Sequence, residues 1–252
     1  FVRSPSGTRL TPVGEAVAAW AKGVVDAARA LTDGIATLRS AADARLRVAA
    51  SLTVAEYLLP LWLLTLRARH PEAEVAATVA NSHGVTDRVL AGEVDLGLIE
   101  APELPDGVTG QQVGTDEVVL VVGAGYPLAA RAGSGVRASD IADLTLLVRE
   151  EGSGTRDTFV RSLGTALGGT PALTHATSLG STATILATAR AGGGVGVVSA
   201  RAAAADIAAG TLVRVPVADL VIERPLTAVW MGRRPTPLAQ ELIGIAAARS
   251  GH

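Results

Sequence analysis

Cysteine is absent from the 252 residues, which excludes disulfides, thiolate metal sites and cysteine nucleophiles. Aromatic residues are scarce at 3%, so any core has to be assembled mainly from Ala, Val and Leu, which the 48% hydrophobic content supplies. Neither charge sign dominates. A formal net charge of −2 argues against these residues holding nucleic acid through bulk charge, although a basic module outside them could do so. No charge-free apolar run approaches the roughly 18 residues of a membrane span, so no membrane partner is expected. The four histidines, His70, His83, His175 and His252, are scattered without an i,i+4 pair, and His70 before Pro71 reads as a helix end; no metal site and no cofactor is expected. Residues 152–154 supply only Gly-Ser-Gly rather than a Gly-x-Ser-x-Gly nucleophile elbow, and an enzyme is the least favoured class.

What is present begins with Phe1-Val2-Arg3-Ser4-Pro5-Ser6-Gly7-Thr8-Arg9-Leu10, basic and small polar residues around a Pro-Ser-Gly turn. They predict a short twisted hairpin with exposed arginines. Phe1 is not an initiator methionine, so the chain is expected to begin partway through a larger protein; a secretory signal is also absent. Thr11 offers an N-cap oxygen, Pro12 suits the first helical position and Glu15 favours the positive helix end. From Val13 the apolar residues repeat every seven. Val13, Trp20, Ala27 and Gly34 form one register, and Val17, Val24, Leu31 and Leu38 the other. This reads as a coiled-coil stripe, with an amphipathic helix lying on its own domain as the alternative.

Beyond the helix, strand and helix patterns alternate. Strands are expected at 46–50, 75–79, 94–99, 117–122, 144–148, 172–177, 195–199, 212–217 and 225–229. Helices are expected at about 57–66, 85–90, 155–167, 182–191, 201–208 and 237–248. The β-α-β-α-β opening implies parallel pairing with right-handed crossovers. Two small α/β lobes fit this count better than one large sheet, with crossovers near 118–123 and 220–230 and the C-terminal helix returning to the first lobe. The length allows one large domain or two modest ones.

Five segments carry a family resemblance in the right order. They are Ala50-Ser51-Leu52-Thr53 before Glu56-Tyr57-Leu58-Leu59-Pro60; Gly92 to Ile99; Glu117 to Val121 with Tyr126-Pro127-Leu128; Arg149 to Arg156; and Ala191 to Ser199. Together they resemble the LysR-type transcriptional regulators. The Ser-x-Thr-plus-Tyr-Leu-Leu-Pro and Gly-Ser-Gly-Thr-Arg segments are most similar to the CysL-like subgroup, associated with sulfur assimilation. The resemblance implies an α/β, type 2 periplasmic-binding-protein-like fold of two lobes with two crossover segments, preceded by a long linker helix. Residues 1–11 would be the remnant of a winged helix-turn-helix domain and 12–42 the linker helix. Lobe I would comprise 43–121 and 224–252, and lobe II 122–223. Arg3, Ser6 and Arg9 would approach DNA, with ordinary solvated surface as the alternative. Val13, Val17, Trp20, Val24, Leu31 and Leu38 would pair two subunits into a homodimer, or into the homotetramer the family often forms.

In such a fold the ligand lies between the lobes, against strand ends and helix starts. Ser51 and Thr53 follow the first strand and could hold an anionic or polar group. Gly152-Ser153-Gly154-Thr155 precedes a helix, where small residues let backbone N–H groups approach a ligand and Arg156 could add positive charge. Ser178, Gly180, Ser181 and Thr182 precede another. Asn81 and Glu100 lie at strand ends; Glu100 would oppose an anion and could instead receive an ammonium group or Arg156. Plain N-capping is the alternative for each hydroxyl. The glycine run from Gly192 lacks the Lys-Ser/Thr of a phosphate loop and reads as a helix end.

Two classes follow. One is a cytoplasmic, dimeric regulator that binds DNA through a mostly missing N-terminal domain and a small effector, a sulfur oxyanion or carboxylate, in its cleft. The other is an extracytoplasmic solute-binding protein of a transporter. An upstream helix-turn-helix pattern would mark the first, and a signal peptide or lipobox the second.

Overall fold

The computed structural model describes residues 1–4 and 7–249, with the backbone alone described at 3, 4, 9 and 33–43. It comprises two units, residues 1–45 and the rest of the chain.

In the first unit, β1 (Val2–Ser4) and β2 (Gly7–Arg9) pair antiparallel, with Val2 opposite Arg9 and Arg3 opposite Thr8. Arg3 and Arg9 thus lie on the expected hairpin, whereas Ser6 falls outside the described residues. Helix α1 (Pro12–Asp43) starts where its caps place it: the Gly14 amide donates to Thr11 Oγ1 at 3.0 Å. Its apolar heptad residues face solvent, with Val13, Trp20 and Val24 each more than 70% exposed and Val17 and Leu31 also exposed. Leu38 lies on the same helix, in the part described by backbone alone.

The second unit is a continuous mixed sheet with helices on both faces. Its strands are β3 (Arg45–Ala50), β4 (Glu74–Val79), β5 (Leu96–Ile99), β6 (Thr109–Gly123), β7 (Leu146–Arg149), β8 (Ala176–Leu179), β9 (Val195–Ser199), β10 (Leu212–Val215) and β11 (Glu223–Trp230). Its helices are α2 (Leu52–Tyr57), α3 (Leu59–Arg69), α4 (Ser82–Leu90), α5 (Gly154–Leu167), α6 (Thr182–Arg190), α7 (Ala200–Ala208) and α8 (Pro237–Arg249). The strand order is β4-β3-β5-β11-β6-β9-β7-β8, with β10 also on β6. β3 runs parallel to β5, and β7 parallel to both β8 and β9, as the alternating pattern requires. β6 belongs to both lobes. Thr109 to Glu117 pair with β11, and Val118 to Val121 pair with β9. The chain therefore crosses between lobes at Glu117/Val118 and returns at Ile222/Glu223.

Alternation along the strands fills two cores per lobe. In lobe I, Val48 and Leu98 face Trp62, Leu66 and the α8 residues Leu242 and Ile243, while Ala49 and Ile99 face Val85 and Val89 of α4. In lobe II, Leu120, Val148 and Val197 pack on Phe159 and Leu163 of α5, and Val119, Val121 and Val198 pack on Ile185 and Leu186 of α6. Each buried Val or Leu contributes roughly 1.5–3 kcal/mol, so small aliphatics in number replace the missing aromatics. Several boundaries differ from expectation: the helix expected at about 57–66 is split into α2 and α3, and two strands start elsewhere than expected. β6 begins at Thr109 because pairing with β11 imposes strand geometry on a polar Gly-Gln-Gln stretch, and β8 begins only at Ala176, well after Pro171. Among the described residues no helix is long and apolar enough to cross a membrane.

Candidate functional site

The strand ends of both lobes converge on a guanidinium that sequence reasoning missed. Arg224, at the return crossover, is cross-strand partner to Asp116 at the first. Its Nε and Nη2 donate to Asp116 Oδ2 at 3.1 and 2.6 Å, and Nη1 lies 2.5 Å from Glu100 Oε2. Nη1 also donates to Thr155 Oγ1 at 2.7 Å, and Nη2 to Thr53 Oγ1 at 3.2 Å. Four of the guanidinium's five N–H donors are thus hydrogen-bonded, and the ion pair with Glu100 adds a second carboxylate. Arg224, Glu100, Thr53 and Thr155 are each at most 2% exposed.

Glu100 directly follows β5, and its carboxylate is held from three sides. Besides Arg224, its Oε1 accepts from the Ser51 hydroxyl at 2.6 Å and the Val54 amide at 3.3 Å. It does not pair with Arg156, which lies 3.5 Å from Glu151 instead. Asp116 has a second cation nearby, Arg201, whose Nε is 3.6 Å from Oδ1 and makes no hydrogen bond.

Plain N-capping does not account for the serines at the helix starts. Ser51, Ser153 and Ser181 occupy N-cap positions without a side-chain capping bond, whereas Asn81 does cap α4, accepting from the Gly84 amide at 2.9 Å. Asn81 also reaches across the lobes, donating to Glu150 Oε1 at 3.3 Å and to the Glu151 carbonyl at 3.2 Å. Glu150 is gripped by buried Arg149 through Nε and Nη2 at 2.7 and 2.8 Å, and Arg149 Nη1 donates to Thr182 Oγ1 at 3.3 Å. Burial is the largest influence on the Glu150 carboxyl and would raise it, but the hydrogen bonds and charge of Arg149, together with a backbone amide and Asn81, outweigh it and hold it below the usual carboxylate range. Ser178 Oγ is 3.5 Å from the Arg149 carbonyl, at the limit of a hydrogen bond.

Gly152 and Gly154 set how closely the lobes approach. A Cβ on Gly154 would lie 1.6 Å from the Glu100 carbonyl oxygen, and Gly152, at φ +81°, holds its backbone against His83, whose amide donates to the Gly152 carbonyl at 3.1 Å. Beside this contact runs a groove of about 480 Å³ between α4, the 101–106 loop and α5, crossed by His83 with Asp157 at 3.3 Å and by Arg161 with Glu103. Burial raises the Asp157 carboxyl, an effect that His83 and Arg156 oppose.

Ser51, Thr53, Glu100 and Thr155 are thus brought together around Arg224, while Asn81 and Thr182 join Arg149 and Glu150. Ser153 is buried beside them, and Arg156 joins neither group. Asp116 and Arg224 went unread, and Arg149 and Glu150 were noted only as part of a resemblance segment and not as site residues, although each is a charge at or beside the end of an apolar strand run.

This arrangement matches a known family. Residues 39–250 match the LysR substrate binding domain. A relative in Mycobacterium tuberculosis, an uncharacterised HTH-type transcriptional regulator, is 37% identical over 94% of this chain and 77% of its own length. The chain belongs to the LysR-type transcriptional regulators. The HTH-type regulator CysL of Bacillus subtilis is 30% identical over 62% of this chain and 51% of its own. A full-length OxyR variant from Pseudomonas aeruginosa superposes with a TM-score of 0.72 at 26% identity, covering 98% of this chain and 83% of that one. LysR-type regulators bind DNA and small-molecule effectors, and the relatives favour this class over a transporter's solute-binding protein.

Proposed function

We propose that this LysR-type chain senses a small polar or anionic metabolite in the cleft between its lobes, at Ser51, Thr53, Glu100, Ser153 and Thr155, with Asn81, Ser178, Ser181 and Thr182 at the neighbouring Arg149 cluster. The observation that carries this reading is the meeting of hydroxyls from both lobes on Arg224, beside both crossovers. A ligand engaging that cluster bears on the positions of the two lobes together. The exposed heptad face of α1 supports a homodimer, since a long apolar stripe left in water favours a partner helix. Arg3 and Arg9 of the hairpin, with the neighbouring Ser6 of the sequence, are proposed to contact DNA, as the remnant of a winged domain over 1–11, with the linker helix over 12–42. Lobe I is taken as 43–117 with 223–252 and lobe II as 118–222, a few residues from the bounds expected from sequence, a shift that the pairing of β6 with β11 and then β9 supports. The protein acts in the cytoplasm and is not an enzyme. The effector is proposed to be a sulfur oxyanion or a small carboxylate, the former following from the resemblance to the CysL-like subgroup and both from the hydroxyl-rich helix starts.

Thermal melts against sulfate, sulfite, thiosulfate, phosphate, O-acetylserine and small carboxylates test this reading. Ligand at a hundredfold over its Kd should add about 2.7 kcal/mol. One of these is expected to raise the melt, and Thr53→Ala or Thr155→Val to remove the rise. A panel without any shift, or a shift both variants keep, would contradict it.

A further inference from the structure

Beside the Arg224 cluster there is open room for a ligand. The groove of about 480 Å³ runs between α4 and the 101–106 loop of lobe I and α5 of lobe II, and neither Arg224 nor any of its partners lines it. Its charges define what fits. Four carboxylates, Asp87, Glu103, Asp106 and Asp157, face one guanidinium and one histidine. Arg161 is taken by Glu103, and Asp157 has His83 at 3.3 Å. Asp87 and Asp106 have no ion-pair or side-chain hydrogen-bond partner among the described residues. An anion is therefore repelled here and a cation drawn in. The carboxylates are spread along the groove: among the described residues, no three His, Asp or Glu side chains come together as metal ligands. Charges spread in this way suit an organic cation whose ammonium groups stand apart on a carbon chain. Leu104, half exposed, gives that chain an apolar wall together with Pro102 and Pro105.

The inner wall adds a neutral acceptor. Thr158 follows Asp157 on α5 and lies one turn beyond Gly154, so it shares the face on which Gly154 meets Ser82 of the groove. Thr158 is 2% exposed, and its hydroxyl has no hydrogen-bond partner. A buried hydroxyl left in this way is costly, and an ammonium group is a donor that satisfies it.

We propose that this groove is a second binding site, for an aliphatic diamine or polyamine. Ammonium groups lie at Asp87 and Asp106, methylenes run along Leu104 and its flanking prolines, and an ammonium beside Asp157 donates to the Thr158 hydroxyl. The site is independent of the effector reading of the Arg224 cluster. Because its walls come from both lobes, its ligand bridges them, and its affinity is coupled to their relative position.

Isothermal titration of the chain with spermidine at fixed ionic strength tests this. Saturable binding is expected, with propylamine, which carries a single ammonium group, at least about tenfold weaker. Asp87→Asn with Asp106→Asn, both at exposed positions, should raise the spermidine Kd about tenfold. Thr158→Val, which keeps the shape and removes the hydroxyl, should raise it about threefold, and Thr158→Ser should bind as the wild type does. Glu72→Gln with Glu223→Gln removes the same charge from exposed positions elsewhere and should leave the Kd unchanged. A titration without saturation would overturn the proposal, as would an affinity that the two aspartate substitutions or Thr158→Val leave intact. An equal loss in the Glu72 and Glu223 variant would overturn it too, because the attraction would then be diffuse. Should the valine variant not fold, the two aspartate substitutions decide alone.

Discussion

At the residue scale, the lobes are held by few groups, each with much at stake. Replacing Arg224 with Met removes five hydrogen-bond donors and leaves Glu100 and Asp116 buried without their shared cation. Breaking a buried pair in this way costs about 3–5 kcal/mol, which urea unfolding would register as a lower midpoint. Gly154→Ala puts a methyl group into the Glu100 carbonyl, so the lobes have to part; a larger radius of gyration by small-angle scattering is expected, and an unchanged one would show that α5 yields instead. Glu150 has its folded pKa lowered by Arg149 despite burial. Its contribution is therefore present above the unfolded glutamate value of about 4.3 and lost as pH falls through the folded value. The stability difference between wild type and Glu150→Gln should shrink below about pH 4 in denaturant titrations. The hydroxyls of this site were legible because Ser and Thr at strand ends stand out. Arg224 was not, since its partner Asp116 lies 108 residues away and only strand pairing joins them.

At the scale of elements, α1 and the strands followed their periodicities. The seven-residue repeat set the helix, and runs such as Val118 to Val122 set strands whose alternate residues fill opposite cores. The part of β6 before Glu117 was illegible because Gly110, Gln111 and Gln112 carry no strand pattern; β11 supplies the pairing. The exposed Val17 and Val24 give a direct test of α1. Val17→Asp with Val24→Asp places charges in the proposed seam and is expected to convert a dimer to a monomer in light scattering, with the melt of the lobes unchanged.

For the whole molecule, the two crossovers are the natural place for coupling, because Asp116 and Arg224 pair across them and Arg224 also touches residues of both lobes. An effector can shift this arrangement only by as much as it prefers one lobe position over the other. The absence of cysteine makes that shift directly measurable. Spin labels on Glu72→Cys in lobe I and Leu167→Cys in lobe II, both exposed positions, report one inter-lobe distance by pulsed electron resonance. The anion that raises the melt most should move that distance to a second population in proportion to saturation, and Thr155→Val should abolish the change. Saturating binding with the distance unmoved would contradict an effector-driven rearrangement of the lobes.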